Sequence, residues 1–297
     1  MSEVLFNTTE VAKMLQVNKS TVKRWTDEGK LSCFRTPGGH RKFRAEDLYQ
    51  FMSDFNYGVA TLEILPQFAN DAAVLRRIIA EKDHRILKSV CFSSAIKGKK
   101  EDVLKVFSEA YRAGMSLHVL FDEILIPTLK RINDASSSGK ISLSEVKLSI
   151  NVLSTSIVLL KDVIVKTSSK NKTVICASFE NESENIELRA VELLFESNGF
   201  DVMNIGANVT DEILIQLLQK NTPHVICLYA ATLHDREQVK QSVVRILSVT
   251  TPLQLKVILG GAGYESLSTE FADEQSVQYC KTFNEFSLIQ FSTKTTV

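Results

Sequence analysis

Beyond Lys172 the chain alternates in a way that leaves few folds open. Short apolar runs at 173–178, 201–205, 224–228, 255–259 and 277–280 are separated by helical stretches. Runs this short and this apolar read as strands covered on both faces, with the intervening helices as the crossovers that parallel strands need. Residues 172–297 are therefore expected to form an α/β doubly wound parallel sheet, Rossmann-type and flavodoxin-like in strand order. In such sheets ligands sit outside the carboxyl ends of the strands, so the loops there are the first candidates for a site. After the first strand, "FENESENIEL" holds Glu180, Glu182, Glu184 and Glu187 with no Lys, Arg, His or Gly. After the fourth, "LGGAGY" puts Gly260, Gly261 and Gly263 where backbone can approach backbone or ligand closely.

The acidic loop has two readings. Asn181 as N-cap with Glu184 three residues on is a capping-box pattern, and carboxylates suit the positive end of a helix. Alternatively, Glu180, Glu182 and Glu184 hold a cationic or donor-rich effector beside Gly260, Gly261 and Gly263. No metal-ligating cluster is visible.

The preceding hundred residues are helical. Leu117, Leu120, Phe121, Ile124 and Leu125 mark one face of a helix that Pro127 should kink. Leu143, Val146, Ile150, Leu153, Ile157, Leu160 and Ile164 then follow 3-4 spacing, the pattern of a bundle seam. Residues 73–168 are thus expected to be a four-helix-bundle-like domain, with 55–72 as a linker.

At the amino terminus charge carries the argument. The chain holds 35 basic and 35 acidic residues, yet 19–44 has eight Lys or Arg against Asp27 and Glu28 alone, a net +6. A local basic footprint on a neutral chain suits a surface that meets phosphates. Asn7 with Glu10 caps a short helix whose apolar stripe is Val11, Leu15 and Val17. Asn18 can cap a second, in which Val22 and Trp25 face inward and Gly29 closes the end. That leaves Lys19, Ser20, Thr21, Lys23 and Arg24 outside, as a helix-turn-helix needs to enter a major groove. Strand-like pieces at 31–35 and 40–43 flank Thr-Pro-Gly-Gly and make a wing, from which Arg35, His40, Arg41 and Lys42 project. Residues 1–54 are expected to bind DNA.

Of 297 residues 44% are apolar, as in a folded chain of two or three domains. No uninterrupted apolar run reaches the roughly 20 residues of a membrane span, and the start lacks the plan of a signal peptide, so the expectation is a cytoplasmic protein. The five cysteines form no C-x-x-C pair, which suggests neither a disulfide framework nor a zinc site.

Two resemblances sharpen these expectations. "TTEVAKMLQVNKSTVKRWTDEGKL" with "RTPGGHRKF" resembles the winged helix-turn-helix of MerR-family transcription regulators, which implies a dimer on a double-stranded operator. The three-part order, with "LLFESNGFDVMNIGANVTDEILIQLL" and "LKVILGGAG", is similar to the light-responsive cobalamin-binding regulators of the CarH and LitR group. That resemblance implies a Glu/Asp-x-His-x-x-Gly loop whose histidine ligates cobalt, and a bundle tryptophan with a Glu-His pair. Here Glu182, Glu184 and Glu187 stand at the acidic, histidine and glycine positions. Ser136 stands at the tryptophan, Val146 and Lys147 at the Glu-His pair, and Tyr229 where a serine often holds the nucleotide tail. The expectation drawn is a non-enzymatic DNA-binding regulator that keeps the cobalamin-domain fold and has lost the cofactor. Its output would then be set by homo-oligomerisation, another small-molecule effector or a partner protein. The alternatives are a cobalamin-dependent light-sensing repressor with a non-standard site and, remotely, a corrinoid carrier.

Overall fold

A computed structural model describes residues 5–15, 17–55, 72–80, 84–179 and 185–289. The chain divides into two compact units, one of 1–115 with 123–152 and one of 116–122 with 153–297. The linker expected at 55–72 lies almost wholly outside the described residues.

The first unit opens with a three-stranded antiparallel sheet, β1 (Leu5–Asn7), β2 (Phe34–Arg35) and β3 (Arg41–Arg44), in the order β1-β3-β2. Between β1 and β2 come α1 (Thr8–Met14) and α2 (Lys19–Asp27). The expected capping box at the start of α1 is present: the Glu10 and Thr9 N–H groups donate to Asn7 Oδ1, and Asn7 N–H donates to Glu10 Oε2 at 2.6 Å. Val11, Val22, Trp25, Leu31 and Phe43 close a small core with Leu48 and Phe51 of α3 (Ala45–Asp54). The Trp25 and Phe51 rings lie 4.9 Å apart, adding a specific aromatic contact to the buried area. Strand β1, which no turn signal announced, completes the wing sheet by pairing Phe6 with Phe43.

The helices α4 (Ala72–Ala80), α5 (His84–Ile96), α6 (Lys100–Arg112), α7 (Leu117–Leu120), α8 (Ile126–Ser137) and α9 (Leu143–Leu160) follow. Helix α5 packs on both α6 and α8, burying Leu87, Val90 and Cys91 with Val103, Val106, Phe107 and Ile132. Pro127 does not simply kink a helix. A wide π-turn over Phe121–Leu125 precedes it, and Pro127 sits in the first turn of α8, where its missing N–H leaves no bond unmade. Buried Thr128 donates to the Ile124 carbonyl at 2.6 Å.

The seam expected along α9 holds over only part of its length. Leu153, Ile157 and Leu160 are buried, but Leu143 is 71% exposed and Val146 and Ile150 are only half-buried. Ile164 is buried beyond the helix end. Periodicity fixes which face is apolar and is silent on how far neighbouring helices run beside it. By length and composition α9 is also one helix able to cross a membrane, with mean hydropathy 1.4 over 18 residues. The run escaped the sequence reading because serines, threonine and asparagine interrupt it; Ser149, Ser154 and Ser156 are buried.

The second unit contains the expected sheet. Strands β4 (Thr173–Ala177), β5 (Asp201–Gly206), β6 (Val225–Tyr229), β7 (Lys256–Gly260) and β8 (Val277–Cys280) are all parallel in the order β5-β4-β6-β7-β8. Helices α10 (Ile186–Ser197), α11 (Asp211–Lys220), α12 (Arg236–Thr250), α13 (Glu265–Ser268) and α14 (Phe283–Ser287) make or follow the crossovers. Ile175, Ile226, Leu228, Val257 and Leu259 share one core with Leu214, Leu218, Val243 and Ile246 of α11 and α12. Val174 and Cys176, alternating with Ile175 and Ala177, point to the opposite face, and α10 packs along β4 and β5.

Candidate functional site

Two places carry chemistry: the basic face of the head and the carboxyl edge of the sheet.

On the head, burial of Val22 and Trp25 turns the other side of α2 outward, so Lys19, Ser20, Lys23 and Arg24 are exposed and Thr21 is half-buried. Asn18 occupies the N-cap position with extended backbone, but its side chain makes no capping bond. Gly29 follows the helix at φ +70°, a conformation that a side chain would strain. Arg24 and Lys30 both reach Glu28, at 3.8 and 2.7 Å, and the Lys30 ammonium foremost lowers the Glu28 pKa.

The wing turn closes with the Thr36 N–H on the His40 carbonyl (3.0 Å) and the Gly39 N–H on the Thr36 carbonyl (2.8 Å). Arg35 and His40 are exposed there, and Lys42 is half-buried. Arg41 departs from the sequence reading: its side chain is only 15% exposed and pairs with Asp27 at 2.5 Å, tying the wing to the end of α2. Sequence reasoning passed over Asp27 because an acid in a basic segment looks like dilution. It also passed over Phe34, which is 38% exposed on β2 with the Arg44 guanidinium 5.7 Å from its ring centroid.

At the sheet edge, Glu180, Glu182 and Glu184 lie outside the described residues. The helix they precede begins at Ile186 and is capped by Asn185, whose Oδ1 accepts from the Leu188 N–H at 2.8 Å. Asn181 and Glu184, the pair that reads as a capping box in the sequence, lie outside the described residues. Asn185 has Leu188 rather than an acid three residues on, so its cap is a single side-chain bond and not a reciprocal box. Asn185 is buried, and Glu187 lies half-buried in the first turn, where its charge suits the helix dipole.

Across the edge the glycines are used by the protein itself. A Cβ on Gly260 would come within 2.4 Å of Phe286 and 3.0 Å of the Tyr229 ring; one on Gly261, at φ +90°, within 2.3 Å of the Ala230 carbonyl. One on Gly263 would meet that same oxygen at 2.9 Å. Tyr229, Phe283 and Phe286 are all buried, with ring centroids 6.3 to 6.4 Å apart. The Phe121 ring meets Phe283 edge-on at 5.2 Å. The carboxylate of Asp122 accepts from the N–H groups of Phe283 and Asn284, each at 2.9 Å, and holds the start of α14 beside the Thr282–Glu285 capping box. None of Asp122, Phe283 and Phe286 was legible as part of this edge, since 121–122 and 283–286 are far apart in the chain.

The structure thus gathers Tyr229, Gly260 and Gly261 at one place. Ser136, half-buried in the last turn of α8, and half-buried Val146 and exposed Lys147 on α9 belong to the other compact unit. The five cysteines are free thiols. Burial pushes the Cys280 thiol up to about 12 and Cys227, beside Cys176 in the register, well above its ordinary value. Both stay protonated near neutrality and are poor nucleophiles.

Residues 5–54 match a helix-turn-helix domain model, residues 172–285 a B12 binding domain, and residues 91–161 a second B12 binding domain model. Over 157 residues the chain is 29% identical to the transcriptional repressor DcmR of Methylorubrum extorquens, a match spanning 43% of this chain and 59% of that protein. It is 26% identical over 176 residues to monomethylamine corrinoid protein 1 of Methanosarcina mazei, spanning 57% of this chain and 79% of that one. The solved monomethylamine corrinoid protein of Methanosarcina barkeri shares the fold at a TM-score of 0.55 and 17% identity, covering 68% of this chain and 96% of its own.

These matches correct the expectation that cobalamin is lost. Two B12 binding domain models and the corrinoid relatives point to cobalamin binding, and nothing shows its loss. The expectation weighed a handful of side chains, Glu184 and Glu187 foremost, against a pattern that runs through whole domains. A ligand of that size is held over most of its surface, so single donors are weak grounds for excluding it.

Proposed function

We propose that the chain is a DNA-binding transcription regulator, non-enzymatic and of the MerR type, whose carboxy-terminal half responds to a corrinoid. The observation that carries the DNA-binding half is the exposed basic helix α2 beside the wing, on a segment matching a helix-turn-helix model and in a chain similar to a repressor. Lys19, Ser20, Thr21, Lys23 and Arg24 face the major groove in this reading. Arg35, His40 and Lys42 meet the flanking backbone, and Arg41 positions the wing through Asp27. The parts are 1–54 for DNA, 55–72 as linker, 73–168 as helical domain and 172–297 as the α/β domain, acting as a dimer or larger homo-oligomer.

The fit of the corrinoid to the sheet edge depends on the rings found there. The cradle over Gly260 and Gly261 is filled by Phe286 and Tyr229, so a further ring is not accepted at that place as the edge stands. The corrinoid half rests on the domain matches.

The DNA half is tested by selecting bound duplexes from a random library. An enriched motif of two related half-sites is expected; no enrichment over input overturns it. The corrinoid half is tested by incubating the full chain with adenosylcobalamin in the dark and removing free ligand by gel filtration. Corrin absorbance that travels with the protein is expected, and its absence removes the corrinoid from the proposal while leaving the DNA reading intact.

A further inference from the structure

Arg131 on α8 is half-buried, and among the described residues no carboxylate comes within ion-pair distance of it. Its Nη1 donates to the hydroxyl of Ser89 at 2.9 Å, and its guanidinium carbon lies 4.2 Å from the centroid of the Phe92 ring. Ser89 is 2% exposed and Phe92 9%, so the tether and the stacking surface are both fixed parts of α5. Partial burial lowers the Arg131 pKa by desolvation.

Such an arrangement is unfavourable unless something answers the charge, because a guanidinium removed from water needs a paired anion. The ring covers one face only. Ser89 accepts one of the five N–H donors, and the planar fork stays oriented by stacking and tether together. On α5, Lys88 precedes Phe92 by one helical turn, which adds positive charge on the same helix. The nearby acids are otherwise placed: Asp134, one turn beyond Arg131 on α8, is exposed with no ion pair to it, and Glu123 faces His84 at 3.6 Å.

We propose that the seam between α5 and α8 binds a small oxyanion group, a carboxylate or a phosphate, held by the free edge of the Arg131 guanidinium while Ser89 and Phe92 fix its orientation. The site is independent of the sheet edge and of the basic face on α2. A guanidinium with a preset fork takes planar or tetrahedral oxyanions through two parallel bonds, where a lysine supplies only a point charge.

The full-length chain, labelled with 15N, is titrated with sodium phosphate and separately with sodium acetate, chloride holding the ionic strength constant. The Arg131 Nε–H signal, assigned by its disappearance in Arg131→Lys, is followed. A saturable shift with phosphate assigns the phosphate class, and with acetate the carboxylate class. Ser89→Ala leaves the guanidinium in place and should weaken the midpoint several-fold. Thermal unfolding gives a second reading: added anion should raise the Tm of the parent chain and leave Arg131→Gln unchanged. Shifts that stay linear and match those of exposed arginines, or an equal Tm response in the parent and Arg131→Gln, overturn the site.

Discussion

The head and the sheet edge are built on opposite plans. In the head, a core of a few side chains turns an entire helix face to water, and the residues that matter lie within 26 positions of one another. At the sheet edge the chain folds its own aromatic groups into the place where ligands usually lie, drawing Tyr229 from one strand, Phe286 from the last helix and Asp122 from more than 160 positions before the residues it caps. A site made by exposing a local pattern can be read in advance. A site made by filling a space cannot, because the filling residues look like ordinary core.

That contrast predicts a separation of effects. Phe286→Ala should cost about 3–5 kcal/mol, the usual range for removing a buried ring, in denaturant unfolding of the full chain while leaving DNA affinity unchanged. A parallel fall in DNA affinity would show that the halves are not independent. Gly260→Ala, whose new methyl would overlap Phe286, should cost roughly 1–3 kcal/mol by overpacking in the same measurement. Phe286→Ala added to it should relieve most of that cost.

In the head the signs reverse. Lys23→Ala should leave unfolding unchanged and lower the slope of DNA affinity against salt by about one unit for each phosphate it no longer neutralises; an unaltered slope takes Lys23 out of the interface. Arg41→Ala is the sharper case. Since Asp27 already answers its charge, affinity should fall with less than a full unit of slope, and Asp27→Ala should mimic it, with a stability cost of at most about 1 kcal/mol for so exposed an acid. A drop of a full unit with Arg41→Ala and none with Asp27→Ala would return Arg41 to the DNA.

The smallest effect concerns pH. Cys280 ionises near 9.0 when exposed and is pushed up to about 12 by burial, so the unfolded chain loses this proton first. The sheet domain should therefore lose stability as pH rises through that window, with no contribution from Cys280 below it, and Cys280→Ala should flatten the decline.

Sequence was informative where periodicity and turn chemistry act locally. The five strands were placed to within a residue or so because fully buried parallel strands need unbroken apolar runs, and the Asn7–Glu10 box and Gly29 marked real helix ends. It misled where half a seam was taken for a whole one on α9. The inferred loss of cobalamin failed for a related reason: substitutions at positions assigned by spacing were made to decide the fate of a whole ligand.

What the sequence by itself determined is the order of the parts and the face each one buries, since helix and strand periods, glycine turns and local charge are properties of neighbouring residues. What only the tertiary structure decided is which side chains meet. The Asp27–Arg41 clamp, the Asp122 cap on α14, the aromatic fill over Gly260 and the Arg131–Ser89 tether all join residues from separate elements. Meetings of that kind depend on packing distances of a few ångströms, and no spacing along the chain encodes those.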